Sequence, residues 1–355
     1  MATSLEVRGL TVELPTPGGW VCPVNDVSFT LGEGETLGIV GESGSGKTML
    51  SLALMGLEPH GTRHTGEAWL NLRGAGNGNS SGGKNRGAPN RNRRDRGDAG
   101  VQTDTRAERE NLLGISQNEM RGLRGREIAM IFQEPMTALN PVLRIGAQIE
   151  EAIRVHEPRA DESEIRRHAL EALERAALAD PGRRARQYPH QLSGGLRQRV
   201  MIAMALAAGP GVLIADEPTT ALDVTVQKQI LELLAKLRRE SRLSMLFITH
   251  DLGVVAQVAG RVAVMYAGRI VEEGPVEEVL RAPRHPYTEG LLRAAPRLTR
   301  EKLVPIPGTV PLLDALPPGC AFAPRCPHRV AECDAAMPEL RAVNKNHEAR
   351  CILVR

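Results

Sequence analysis

A chain of 355 residues, 41% of them hydrophobic, can bury one large α/β domain plus an appendage, or two modest domains. Aromatic residues make up 3%, too few for a base-stacking nucleic-acid platform, and a net charge of +3 implies no polyanionic partner. Met1–Glu6 has no basic region leading into an apolar run, and nothing approaches the roughly 18 uninterrupted apolar residues of a membrane span. The cytoplasm is therefore the expected compartment, where the five cysteines are not expected to pair as disulfides.

In chain order, Leu5–Leu14 and Val24–Leu31 alternate between apolar and polar residues and read as strands, separated by the turn residues Pro15, Pro17, Gly18 and Gly19. Glu35–Val40 is a short apolar run that ends at a glycine-rich turn, and Met49–Leu57 follows as a helix. Residues Gly74–Arg106 are rich in Gly, Asn, Arg, Ser and Asp and nearly free of aliphatics. They read as a disordered, solvated insertion, since they can bury too little apolar surface to offset ordering. Ile128–Phe132 is the next strand. Ile145–Ala179 shows apolar residues at helical spacing, and Val200–Ala208 is a further helix. Val212–Ala215 and Ser244–Ile248 are apolar runs typical of strands buried on both faces, with a helix over Val226–Arg239 between them. This alternation predicts an α/β fold with a mainly parallel sheet. From about Pro283 the composition shifts to Pro, Arg and Cys, which reads as a separate module.

Residues 41–48 fit G-x-x-x-x-G-K-[ST] between a strand and a helix. Gly41, Ser43, Gly44, Ser45 and Gly46 would let the backbone curl so that its N–H groups face phosphate oxygens. Lys47 would neutralise β/γ-phosphate charge and the Thr48 hydroxyl would ligate Mg²⁺. The second piece is the apolar run Val212–Ala215 followed by Asp216 and Glu217, two carboxylates at the end of a strand where ligands of open α/β sheets bind. Asp216 would hold Mg²⁺ and Glu217 would polarise an attacking water. The third piece is Leu192–Arg199, in which Ser193 reads as a helix cap followed by Gly194 and Gly195.

That third string closely resembles the signature motif of ABC-type ATPases, and its place shortly before the Asp-Glu strand is similar as well. The resemblance implies a P-loop NTPase fold, with an ABC-type nucleotide-binding domain over 5–272 on a RecA-like core and a helical subdomain over 134–200. It implies that Gln133 is the Q-loop glutamine, touching Mg²⁺ or the lytic water. Thr220–Asp223 resembles the D-loop and places Asp223 at the nucleotide, while His250 resembles the switch histidine. It further implies that two subunits face head to tail, so that Ser193, Gly194 and Gly195 close on the partner's ATP. The family stacks adenine on an early aromatic residue; Leu14 stands near that place here, and Trp20 is the substitute.

The tail narrows the family. His285–Thr288, Ile306–Gly308, Pro317–Phe322, Arg325–Cys326 and the earlier Ile131–Pro141 resemble oligopeptide/dipeptide importer ATPases, a group that also imports nickel and other small solutes. The tail module would span 283–355. The implied partners are two membrane-spanning permease subunits, a second ABC ATPase subunit and an extracytoplasmic solute-binding protein, with the chain at the cytoplasmic face of the membrane and no nucleic acid. Apolar positions after Gln133 would receive the permeases' short cytoplasmic helices. A soluble ABC ATPase acting on nucleic acid or ribosomes is the alternative, which the single motif set and the importer-like tail disfavour. Cys320, Cys326, Cys333 and Cys351 cluster in the tail, where four thiolates suit an iron–sulfur cluster or structural zinc, and otherwise stand as free thiols. The resemblance favours a [4Fe–4S] cluster there. Cys22 stands apart as an apolar filler.

Overall fold

The structure is a computed structural model that describes residues 2–72, 109–295 and 305–354. The expected insertion at 74–106 lies outside the described residues.

Two sheets organise the chain. The first is antiparallel and takes β1 (Thr3–Thr16), β2 (Gly19–Gly32), β4 (Arg63–Asn71) and β5 (Arg109–Asn111) in the order β2-β1-β4-β5. Its first hairpin turns at Pro17 and Gly18, where the sequence placed a turn. The second sheet has eight strands and adds β3 (Thr36–Val40), β6 (Ile128–Ile131), β7 (Val212–Asp216), β8 (Ser244–Thr249), β9 (Arg261–Tyr266), β10 (Arg269–Pro275), β11 (Arg341–Asn344) and β12 (His347–Ala349). Its order is β11-β12-β10-β9-β3-β8-β7-β6, and the run from β9 to β6 is parallel.

The central strands carry apolar runs, Leu213–Ala215 and Met245–Ile248 among them, because both faces are covered. Val212 and Ile214 of β7 point into a core shared with the antiparallel sheet, whereas Leu213 and Ala215 point into a second core beneath helices. β8 divides its residues in the same way, with Leu246 and Ile248 on one side and Met245 and Phe247 on the other. Burying each of the larger side chains contributes about 1.5–3 kcal/mol.

The helices in chain order are α1 (Lys47–Leu54), α2 (Gln117–Leu123), α3 (Pro135–Ala138), α4 (Ile145–Arg154), α5 (Glu162–Arg175), α6 (Pro181–Ala185), α7 (Gly194–Leu206), α8 (Val224–Ser241), α9 (Leu252–Val258), α10 (Val276–Arg281) and α11 (Pro286–Ala294). The run expected over Ile145–Ala179 divides into α4 and α5. Pro158 lies in the gap, and Asp161 opens α5 with a capping box to Glu164. Helix α1 starts two residues before the expected Met49, since Gly46 sits in left-handed backbone (φ 99°) as its N-cap and Lys47 is already helical.

The residues from Pro283 onward, read from composition as a separate module, share their core with the main sheet. β12 pairs with β10 and extends that sheet, and Tyr287 and Phe322 pack on Tyr266 of β9. The Tyr287 hydroxyl accepts from the N–H of Glu42, two residues past β3, so the tail touches the chain just beyond that strand.

Candidate functional site

The parallel register brings four strand ends nearly level. Val40 of β3 pairs with Thr249 of β8, Ile248 of β8 with Asp216 of β7, and Ala215 of β7 with Ile131 of β6. The residues just past these ends are Gly41, His250, Glu217 and Gln133, so one sheet edge gathers four of the motifs.

After β3, residues 41–48 curl over the edge. Gly44 (φ 80°) and Gly46 (φ 99°) hold backbone that side chains rarely adopt. A Cβ on Gly46 would sit 1.9 Å from the Pro23 carbonyl oxygen, and one on Gly41 would sit 2.2 Å from that of Met265. Lys47 is buried, and its ammonium donates to the carbonyls of Gly41 (2.7 Å) and Glu42 (2.9 Å) and to Ser45 Oγ (3.2 Å). Burial pulls its pKa down, against the opposing pull of Glu217, Asp216 and Glu42. A polyphosphate would offer these protons charged acceptors, and the start of α1 adds the positive end of its dipole.

Asp216 is 1% exposed, and neither carboxylate oxygen has a hydrogen-bond partner. Burial pushes its pKa up to about 6. The Thr48 hydroxyl is near enough to pull it down, yet it donates to neither oxygen. A buried acid without a donor is costly on its own, and a cation is what satisfies it. Asp216 with Thr48 therefore fits Mg²⁺.

Glu217 stands in left-handed backbone (φ 47°), the kind of strain that clusters at functional sites. Its Oε2 accepts from Thr220 Oγ1 (2.7 Å) and Gln133 Nε2 (3.3 Å), and His250 Nδ1 lies 3.4 Å away. The structure thus brings Gln133, Glu217 and His250 together. Thr220 is an addition: its string was read for its resemblance to the D-loop, with Asp223 as the residue at the nucleotide, and nothing local revealed that the Thr220 hydroxyl fixes the carboxylate.

Other expected residues lie elsewhere. Ser193 caps α7 through its backbone only, leaving its hydroxyl out of the cap. A Cβ on Gly195 would sit 2.6 Å from Val226 Cγ1, and one on Gly194 would sit 3.6 Å from Leu222 Cδ2, so the signature turn packs on the start of α8. Asp223 caps α8 by accepting from Val226 N at 3.0 Å. Trp20 is half-exposed beneath the Arg63 guanidinium, 3.9 Å from the ring centroid.

In the tail, Cys320, Cys326, Cys333 and Cys351 line one cavity with His285 and Phe322. Burial raises the pKa of Cys320, Cys326 and Cys351. Among the described residues, no group of three or more Cys, His, Asp or Glu side chains is arranged to hold a metal ion. Cys22 Sγ donates to the Val24 carbonyl.

A glycine-rich phosphate cradle, a buried metal-seeking aspartate and a clamped glutamate at adjacent strand ends define a P-loop NTPase. Residues 24–86 and 97–220 match the model of the ABC transporter family, and residues 271–333 match that of the oligopeptide/dipeptide transporter C-terminal region. A putative peptide import ATP-binding protein of Brucella melitensis is 49% identical, over 98% of this chain and 96% of that one. The dipeptide transport ATP-binding protein DppD of Bacillus subtilis is 45% identical, over 99% and 95%. A dimeric ATP-binding cassette solved with ADP and Pi superimposes with a TM-score of 0.58 at 27% identity, covering 77% of this chain and 98% of that one. The chain belongs to the ABC transporter family of ATP-binding subunits, in its oligopeptide/dipeptide group, and it is an ATPase.

Proposed function

We propose that this ATPase drives import of oligopeptides or dipeptides across the cytoplasmic membrane, docked at its inner face. The observation that carries the reading is the convergence of Lys47, Asp216, Glu217, Gln133 and His250 at neighbouring strand ends. The cargo class rests on the relatives' names and on the tail. Among the described residues no helix is long and apolar enough to cross a membrane, so permeation falls to partners. These are two permease subunits, with a solute-binding protein outside and a second ATPase subunit beside this one. Met136 (57% exposed) and Val142 (77% exposed) follow Gln133 and offer the permeases an apolar surface.

In the catalytic cycle Lys47 and the N–H groups of residues 41–48 hold the triphosphate. Thr48, Asp216 and Gln133 would hold Mg²⁺, which supplies charge neutralisation on the β- and γ-phosphates. Glu217 orients the attacking water and accepts its proton, held in aim by Thr220 and Gln133. His250 faces the γ-phosphate beside it. Ser193, Gly194 and Gly195 close on the partner subunit's nucleotide, and Asp223 serves the same junction. Trp20 stacks on adenine through the ring face that Arg63 leaves open.

The four tail cysteines extend the reading to a [4Fe–4S] cluster, supported by their common cavity, although the thiols are not arranged for a metal ion as they stand and would have to turn inward to hold one. Burial keeps Cys320, Cys326 and Cys351 protonated, so iron binding would release protons. Anaerobically purified protein is then expected to absorb near about 400 nm and to carry iron and sulfide; colourless, iron-free protein overturns this part. The importer reading is tested in vesicles holding the chain with its permeases. Peptide uptake dependent on ATP supports it, and ATP-driven uptake of nickel without peptide replaces the cargo.

A further inference from the structure

The phosphate loop is braced from behind by the tail, through a residue that no sequence motif singles out. Glu42 is the second residue of the loop, and each of its polar groups is engaged. Its N–H donates to the Tyr287 hydroxyl at 2.8 Å. Its carbonyl accepts from Lys47 Nζ at 2.9 Å and from the Ser45 N–H at 3.2 Å. Its carboxylate receives a two-pronged clasp from Arg325, with Nη1 to Oε2 at 2.7 Å and Nη2 to Oε1 at 3.1 Å. The two residues lie 283 positions apart in sequence.

Arg325 is itself held. Its side chain is 4% exposed, its Nε donates to the Pro307 carbonyl at 2.9 Å, and its Nη1 reaches the Tyr266 hydroxyl at 3.3 Å. Tyr266, Tyr287 and Phe322 pack on one another with ring centroids 4.5–5.4 Å apart, and the guanidinium lies 5.9 Å from the centroids of Tyr266 and Phe322. A guanidinium held by Glu42, Pro307 and Tyr266 is a rigid anchor, and its planar fork sets both the position and the rotation of the carboxylate it grips. Each N–H that residues 41–48 present to phosphate depends on where Glu42 places the start of the curl. The network runs without a gap from the tail, through Glu42, to Lys47.

We propose that Arg325 and Tyr287 are positioning residues of the nucleotide site, holding the phosphate loop in its binding shape through Glu42. The tail is then part of the ATP-binding machinery rather than an appendage to it. The inference rests on the reading of residues 41–48 as the triphosphate site.

The test is equilibrium binding of a magnesium-bound, non-hydrolysable ATP analogue to the purified full chain, with thermal unfolding run in parallel. Tyr287→Phe removes only the acceptor for the Glu42 N–H and is expected to weaken binding about fivefold. Arg325→Gln removes the fork and is expected to weaken it about tenfold or more. Arg325→Lys keeps the charge without the fork and is expected to recover only part of that loss. Glu42→Gln combined with Arg325→Gln is expected to bind no worse than Arg325→Gln alone, since both changes break one contact. A tail that merely stabilises the fold would lower the melting temperature of these variants and leave the affinity of the folded chain within twofold of wild type; that result overturns the inference. If Arg325→Gln does not fold, Tyr287→Phe decides by the same criterion. Wild-type protein that binds no magnesium nucleotide at all overturns instead the triphosphate reading on which the inference stands.

Discussion

Asn in place of Asp216 is expected to make the nucleotide-free protein more stable while removing its response to magnesium nucleotide. The carboxylate is buried, lacks any hydrogen-bond donor, and has its pKa pushed from 3.8 to about 6. At about 1.4 kcal/mol per unit, that shift is a penalty of roughly 3 kcal/mol whenever the folded protein carries the charge. The sign follows from the order of ionisation. The unfolded chain loses this proton near pH 4 and the folded chain near pH 6, so the penalty is absent below about pH 4, grows between 4 and 6, and is complete above. An amide at the same place still lacks partners, which returns about 1–2 kcal/mol of the gain. The net expectation is about 1–2 kcal/mol of stabilisation at pH 7.5, or a rise of a few degrees in melting temperature, turning into a net cost of about 1 kcal/mol near pH 4, where the charge penalty is gone and the amide's cost remains. Saturating Mg-ADP at about 100 Kd should add about 2.7 kcal/mol to the wild type and much less to Asp216→Asn. The assay is thermal or urea unfolding at both pH values, with and without Mg-ADP. A variant less stable than wild type at pH 7.5 without ligand, or one that gains equally from Mg-ADP, refutes the reasoning.

Glu217→Gln keeps the shape that Thr220 and Gln133 grip but cannot accept a proton; turnover is expected to fall about 10²–10⁴-fold with nucleotide affinity nearly unchanged, and phosphate release at the wild-type rate would exclude Glu217 as the base. His285 is buried, with its pKa pushed down to about 3 by desolvation, so the folded chain keeps it neutral while the unfolded chain protonates it below about pH 6.5. Stability should then fall by up to about 1.4 kcal/mol per pH unit as pH drops below 6.5, and His285→Asn should flatten that slope in urea midpoints measured from pH 7 to pH 5. An equal slope in both proteins contradicts the assignment.

What the sequence revealed follows from the range over which each signal acts. β3, β7 and β8 are legible because a strand buried on both faces reads as a near-continuous apolar run, as Val212–Ala215 and Met245–Ile248 do. The phosphate loop is legible because only glycine fits at Gly41 and Gly46, where a Cβ would collide with backbone. The helix after Ser193 was marked by its cap and runs from Gly194. β11 and β12 escaped notice. They are short and polar, and they exist through pairing with each other and with β10 rather than through any periodicity of their own. The joining of tail and sheet escaped for the same reason. A change in composition at Pro283 suggests a boundary, whereas the contacts that cross it, Tyr287 on Tyr266 and Arg325 on Glu42, are tertiary. The clamp on Glu217 combines a hydroxyl three residues ahead with an amide from another strand end, and only the sheet order brings them together.

Binding of Mg-ATP to the purified chain, compared with Lys47→Ala, addresses the core of this account. Lys47 now spends its protons on Gly41, Glu42 and Ser45, and a triphosphate in the curl should draw them away. Wild-type protein is expected to retain magnesium nucleotide and Lys47→Ala to bind it at least about tenfold more weakly. Equal affinity in the two proteins would place the nucleotide somewhere other than the end of β3.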